Sequence, residues 1–267
     1  MSLLVTERHD YILNQLEQKN KILVASLAIE LGVTPETIRR DLDLLEKEKK
    51  LQRVHGGAVK HQQTRNEPHF SKKMNVRASD KKAIGHKAAE FIKDGDTIMI
   101  DIGTTTVHLA YSISDVQGVT IVTNSLPAAD ILNHRLENKE FEGKVIVLGG
   151  VTIPEQKSIV GALTCKMLDS FRFDKVFLSC GGFTLTDVSD YDLEECLVST
   201  AMVERANQVF LLSDSSKINQ ESFYKICPLT TIDNVICNQD MPNFWKEKDM
   251  DTMLQWITVK GGEKHEG

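Results

Sequence analysis

The sequence predicts an α/β chain in two parts: a small helical module closed by a β-hairpin, then a layered α/β domain on a parallel-rich sheet. Three observations carry that expectation. The first sixty residues hold three helix-period apolar stripes and two β-prone stretches around a glycine pair. From Lys81 onward, short β-branched apolar runs alternate with helical stretches, as strands buried on both faces do. The charge is also divided unevenly. Residues 1–79 carry 14 Lys and Arg against 10 Asp and Glu, a net +4; the remainder carries 18 against 28, a net −10.

Composition limits the function classes. A chain of 267 residues, 41% hydrophobic and 26% charged, suits one large or two smaller globular domains. No apolar run approaches the ~18 residues that span a bilayer. The opening "MSLLVTERHDYILNQLEQKN" has no signal-peptide core. The cysteines Cys165, Cys180, Cys196, Cys227 and Cys237 are widely spaced, and no two form a CxxC pair. Free thiols, a cytoplasmic location, no membrane contact, no metal and no cofactor are therefore expected. His86, His108 and His134 lie far apart on predicted helices and are expected to be surface or hydrogen-bonded residues.

The first helix is expected to follow Thr6 as its cap, with Ile12, Leu13 and Leu16 as its stripe. The second runs from about Val24 to Leu31 and ends at Gly32, where a left-handed residue suits glycine. "GVT" then turns the chain into a third helix with a clear start: Thr34 as N-cap, Pro35 in the first turn and Glu36 at the positive dipole end. In "TPETIRRDLDLLEKEKK", Ile38, Leu42 and Leu45 fall on one face. Glu36, Arg40, Asp43 and Lys47 point the other way, and Thr37 and Arg39 flank them. "LQRV" and "AV" around His55-Gly56-Gly57 read as a hairpin, or wing. Together these features match a winged helix-turn-helix, whose third helix meets base edges with its first turns.

The run "LGVTPETIRRDLDLLEKEKKLQRVHGGAV" resembles the N-terminal domain of the DeoR-type bacterial transcription regulators. That resemblance implies that Thr37, Arg39 and Arg40, beside the cap Thr34, face double-stranded operator DNA, with Arg53 and His55 of the wing near the backbone. Lys50 stands where the family usually has glycine.

Residues 61–80 are polar and basic, and they are expected to form a linker between domains at 1–60 and 81–260. The stretch from Lys50 to Arg77 holds Lys50, Arg53, Lys60, Arg65, Lys72, Lys73 and Arg77 against Glu67 alone. Beyond it, "TIMID", "VTIVT", "KVIVLGG", "DKVFLSC", "QVFLLSD" and "NVICN" are the expected strands. Ligands in such sheets bind at the carboxyl ends of strands. The loops there are "DIGTTT", "TNS", "LGG", "SCGG" and "SDSSK". Turn chemistry explains any one of them; five together suggest a pocket for a small phosphorylated polyol. Gly103 allows close backbone approach, and Thr104, Thr105 and Thr106 bring hydroxyls to a helix N-terminus. Asn124, Ser125, Gly181 and Gly182 belong to neighbouring loops. Lys217 supplies the one cation of the five loops, and Asp101 could accept from ligand hydroxyls.

"DIGTTT", "TNSLPAA", "LGG", "FDKVFLSCGG" and "DSSK" resemble successive landmarks of the same family's sensor domain. The resemblance implies a fold similar to ribose-phosphate isomerases and a phosphorylated sugar effector that relieves repression. It also implies a place for Glu195 in the pocket. The family's "EAEVKRAM" becomes "ECLVSTAM", with Ser199 and Thr200 for lysine and arginine, and Ile218-Asn219 replaces "FG". The loop "CGGFTLTDVSDYDL" has no lysine and reaches its first acid at Asp187, which argues against isomerase chemistry. A regulator without catalytic residues is expected; a sugar-phosphate isomerase or deaminase with an accessory N-terminal domain is the alternative. Paired half-sites call for a homo-oligomer, dimer or tetramer.

Overall fold

The computed structural model describes residues 5–19, 21–48, 50–54, 56–60, 67–246 and 254–260. It divides into two compact units, Met1–Asn66 and Glu67–Gly267. The first unit contains α1 (Val5–Lys19), β1 (Lys21–Leu23), α2 (Val24–Leu31), α3 (Pro35–Lys47), β2 (Leu51–Val54) and β3 (Gly57–Lys60). Thr6 lies inside α1 and does not precede it. The stripes expected on the three helices meet in one core: Ile12 and Leu16 from α1, Leu27 from α2, and Ile38, Leu42 and Leu45 from α3. Gly32 ends α2 in the left-handed region, φ 62°. The wing is a three-stranded antiparallel sheet, β1-β3-β2, because Lys21–Leu23 adds a strand to the expected hairpin.

The second unit begins with α4 (Phe70–Asn75) and α5 (Ala78–Ala89). The segment expected to be linker therefore divides. Residues 61–66 lie outside the described residues, whereas Phe70 is buried in the core and its N–H donates to the Glu155 carbonyl at 2.8 Å. Next come β4 (Thr97–Ile100), α6 (Thr104–Ser112), β5 (Val119–Thr123), α7 (Leu126–Glu137), β6 (Gly143–Val147), β7 (Val151–Ile153), β8 (Ser158–Val160) and α8 (Ala162–Leu168). The chain continues through β9 (Phe173–Leu178), β10 (Gly182–Phe183), β11 (Asp187–Asp190), α9 (Leu193–Val203), β12 (Ala206–Leu212), β13 (Tyr224–Pro228), β14 (Asn234–Cys237), α10 (Asn243–Lys246) and β15 (Gln255–Thr258).

Seven of these strands form one parallel sheet in the order β15-β14-β12-β9-β4-β5-β6. Alternation within strands buries both faces. Ile98 and Ile100 pack with Ile84, Leu109 and Leu132 of α5, α6 and α7, while Met99 packs with Leu168, Val198 and Met202 of α8 and α9. After β4 the chain builds β5 and β6 on one side, then returns to place β9 on the other. The loops after β4 and β9 thus diverge at a topological switch point, where open α/β sheets form crevices. Among the described residues, no helix is long and apolar enough to cross a membrane.

Candidate functional site

The first unit presents the N-terminal half of α3. Thr34 caps it, its Oγ1 accepting from the Thr37 N–H at 3.2 Å. Arg39 and Arg40 both emerge on the outer face beside Glu36, at 3.2 and 4.0 Å. With 79% of its side chain exposed, Arg40 is the freer of the two. Arg53 behaves differently. Its Nη1 donates to Asp43 at 2.5 Å and to the Arg39 carbonyl at 3.0 Å, and its N–H donates to Glu46 at 2.7 Å. These bonds pin the wing strand β2 to the outer side of α3. His55 lies outside the described residues.

The inner side of α3 also holds a charge, on the same face as Ile38, Leu42 and Leu45. Asp41 is buried among the leucines and accepts from Arg8 Nε at 2.5 Å and Nη2 at 2.9 Å, with His9 Nε2 at 3.2 Å. The pair fixes α1 against α3, and the Asp41 bond raises the Arg8 pKa.

In the second unit a cavity of about 210 Å³ opens at the switch point. Ile102, Gly103, Thr104 and Thr105 line it from the β4–α6 loop, Ser179 and Cys180 from the end of β9, and Ser213, Asp214, Ser216 and Lys217 from the end of β12. Gly103 is required there. It has φ 124°, and a Cβ would stand 2.4 Å from Ser179 Oγ. The Cys180 thiol, pushed up to about 12 by burial, is no nucleophile at neutral pH. The Lys217 ammonium lies 5.7 Å from the Tyr191 ring centroid. Burial works against its charge, but Tyr191, Cys180, Asp190 and Asp214 outweigh that and raise its pKa.

The remaining wall comes from the segment expected to be linker and from α5. Glu67, Pro68, Lys72, Lys73, Val76 and Lys81 all face the cavity. Glu67 and Lys73 form an ion pair. Arg77 ties the segment to the β12 loop, donating to Ser215 Oγ at 2.9 Å with Asp214 at 3.8 Å. Lys81 Nζ donates to the Lys73 carbonyl at 2.6 Å. Gln156, from the β7–β8 turn, Asp190, Tyr191 and Leu212 complete the lining. Burial first, and the Glu67 charge second, raise the Asp190 pKa.

Of the pocket residues expected from sequence, Gly103, Thr104, Thr105 and Lys217 line this cavity, and the others do not. Asp101 is buried beneath it, its Oδ2 accepting from the Ser179 N–H at 3.3 Å and Ser199 Oγ at 3.1 Å. It thus ties the β4 and β9 loops to α9, and burial pushes it up to about 7. Thr106 Oγ1 donates to the Gly103 carbonyl at 3.0 Å. Ser125 caps α7, Asn124 Nδ2 donates to the Ile159 carbonyl at 3.2 Å, and Gly181 and Gly182 pack tightly against Ser222 and Gln220. Glu195 is buried, accepts from Ser158 Oγ at 2.6 Å and is pushed up to about 8. Lysines 72, 73 and 81, Gln156 and Asp190 had not been expected. A signal existed for Lys81, which shares a stripe with Ile84 and Ala88 at i, i+3 and i+7, an unusual place for a lysine unless it has work there.

A helix-turn-helix with a strapped wing in one unit and a charged cavity in the other define a ligand-responsive DNA-binding regulator. Residues 8–64 match the DeoR-like helix-turn-helix domain and residues 76–239 the DeoR C terminal sensor domain. The chain belongs to the DeoR family of helix-turn-helix transcriptional regulators. It is 41% identical to an uncharacterized HTH-type transcriptional regulator of Staphylococcus epidermidis over 79% of this chain and 83% of that one. It is 29% identical to the glycerol-3-phosphate regulon repressor of Escherichia coli over 89% of this chain and 92% of that one. A structure of D-ribose-5-phosphate isomerase aligns with 54% of this chain and 55% of that chain, at 17% identity and a TM-score of 0.38.

Proposed function

We propose that the protein represses a sugar-catabolism operon and is released from its operator by a phosphorylated sugar intermediate. The observation that carries this is the switch-point cavity, where the Gly103–Thr105 end of α6 and Lys217 share one small space. A helix N-terminus with hydroxyls and a lysine suits a phosphate monoester, and the carboxylates of Asp190 and Asp214 suit the hydroxyls of a polyol. The related glycerol-3-phosphate regulon repressor lends support through the phosphate in its name. Thr37, Arg39 and Arg40 read the operator, and Arg53 holds the wing in register with them. Two copies in the cytoplasm read paired half-sites, and no reaction is catalysed.

A thermal-shift screen of the full chain with phosphorylated and free sugars tests this. A ligand at ~100 times its Kd stabilises its site by about 2.7 kcal/mol. For a domain of this size that is roughly 5–10 °C in Tm. Phosphorylated sugars are expected to shift the sensor transition and to release operator DNA, and Lys217→Ala to lose most of the shift. Equal shifts from free sugars, or turnover of a sugar phosphate at ~1 s⁻¹ or faster, would overturn the proposal.

A further inference from the structure

We propose that Lys81 and Gln156 read two different parts of the effector: Lys81 binds its phosphate beside the N-terminus of α6, and Gln156 accepts a hydrogen bond from one of its hydroxyls. The inference rests on the phosphorylated-effector reading above and adds the two residues that determine selectivity within it.

Lys81 is 5% exposed, yet it lines the cavity with Thr104 and Thr105. Helix α5 brings it there by lying hard against α6: a Cβ on Gly85 would stand 2.5 Å from the His108 carbonyl carbon. Its ammonium has three donors, and the Lys73 carbonyl takes one. Around it, Asp214 favours the charge while Lys217, Lys73 and Arg77 oppose it, and burial draws the pKa down to about 8. A buried cation among other cations is stabilised by a dianion in a way that a neutral sugar cannot match. Gln156 supplies an independent sign. It is 8% exposed and lines the same cavity. The Pro68 carbonyl can only accept, so it takes the Nε2 side at 3.5 Å. Among the described residues, Oε1 then has no donor. Gln156 thus lines a sugar-sized pocket with an acceptor to spare, and a ligand hydroxyl that reaches it is selected over a ligand lacking one, which leaves it unsatisfied.

Calorimetric titration of the full chain separates the two roles. The probes are inorganic phosphate and three esters: glycerol 3-phosphate, fructose 6-phosphate and glucose 6-phosphate. Lys81→Met is expected to weaken phosphate and the tightest ester together, by about 10- to 100-fold, and Lys81→Arg to recover most of that. Gln156→Leu is expected to weaken the ester by about tenfold more than phosphate, lowering the ratio of the two affinities. Phosphate affinity equal in Lys81→Met and wild type overturns the role of Lys81; an unchanged ratio in Gln156→Leu overturns that of Gln156. Acetylation of wild-type Lys81, followed by peptide mass spectrometry, gives a reading without any substitution. It should slow about tenfold at ten times the phosphate Kd, and an unaltered rate also overturns the assignment. If the wild type binds neither phosphate nor any ester, the phosphorylated-effector reading falls and this inference falls with it.

Discussion

The two units bury aspartates in opposite ways. In the DNA-reading unit, Asp41 is enclosed with a guanidinium, and Arg8 answers both of its oxygens. In the sensor unit, Asp101 is enclosed with a backbone N–H and a hydroxyl and no cation. Ser199 stands there in place of the lysine of the family's run. The first arrangement keeps a charge and locks two helices together. The second pushes Asp101 up to about 7, and Glu195 nearby follows the same course to about 8. A regulator needs a reading head of fixed shape, whereas its sensor can hold polar groups whose state the surroundings decide.

The strongest test breaks the first pair. Removing Asp41 takes away the carboxylate that both Arg8 Nε and Nη2 meet inside the core, and breaking a buried pair costs about 3–5 kcal/mol. Asp41→Ala is therefore expected to unfold the reading unit in urea well before the sensor unit, abolishing operator binding at 37 °C. The double variant Arg8→Met with Asp41→Leu should recover most of the stability. If Asp41→Ala alone is as stable as wild type, the lock is no lock.

The second test follows protons. Both sensor carboxyls have folded pKa values above their unfolded values, so the folded unit binds more protons than the unfolded chain. Their contribution is fully present below about pH 4, declines as pH rises through the folded values of about 7 and about 8, and levels off above about pH 9. Between pH 5 and 7, Asp101 alone lowers stability by about 2 kcal/mol, at no more than roughly 1.4 kcal/mol per pH unit. Asp101→Asn should flatten that decline in sensor Tm by about one proton's share, and an identical pH profile would contradict the burial argument.

Smaller effects sharpen the picture of α3. Arg40→Ala is expected to weaken operator binding by about 1–3 kcal/mol and to relax preference at one base, measured by gel shift against operator variants. Arg39→Ala should behave likewise, and unaffected binding in both would remove the assignment. Thr34→Ala loses the α3 cap and should lower the stability of the reading unit by about 1 kcal/mol.

Most of the fold was legible because most of it is local. The Thr34-Pro35-Glu36 start and the Ile38, Leu42, Leu45 stripe are written within one helix, and six sheet strands announce themselves as β-branched runs. The short strands Lys21–Leu23 and Gln255–Thr258 did not, because "KIL" and "QWIT" are too short and too mixed in character to read as β-branched runs. The site was half legible for the same reason. Gly103–Thr105 follow β4 at the switch point, and Lys217 follows β12, one strand beyond it on the β9 side. Asn124 and Ser125 follow β5, one strand beyond it on the other side, and their polar groups serve turn and cap geometry instead. Asp41 and Lys81 were hidden in plain sight. Each is a charge on an otherwise apolar stripe, and its meaning depends on Arg8 in one case and on the cavity wall in the other.

The strand order also sets a timetable. The reading unit closes its contacts within sixty residues, and chains rich in local contacts fold fast. The central strand β4 must wait for β9; Asp101 meets Ser179, which lies 78 positions further along the chain. During synthesis at ~5–20 residues per second, that interval lasts several seconds, during which β4 presents a bare edge. The nascent chain therefore completes its helix-turn-helix unit before the strand ends that build the sensor cavity exist.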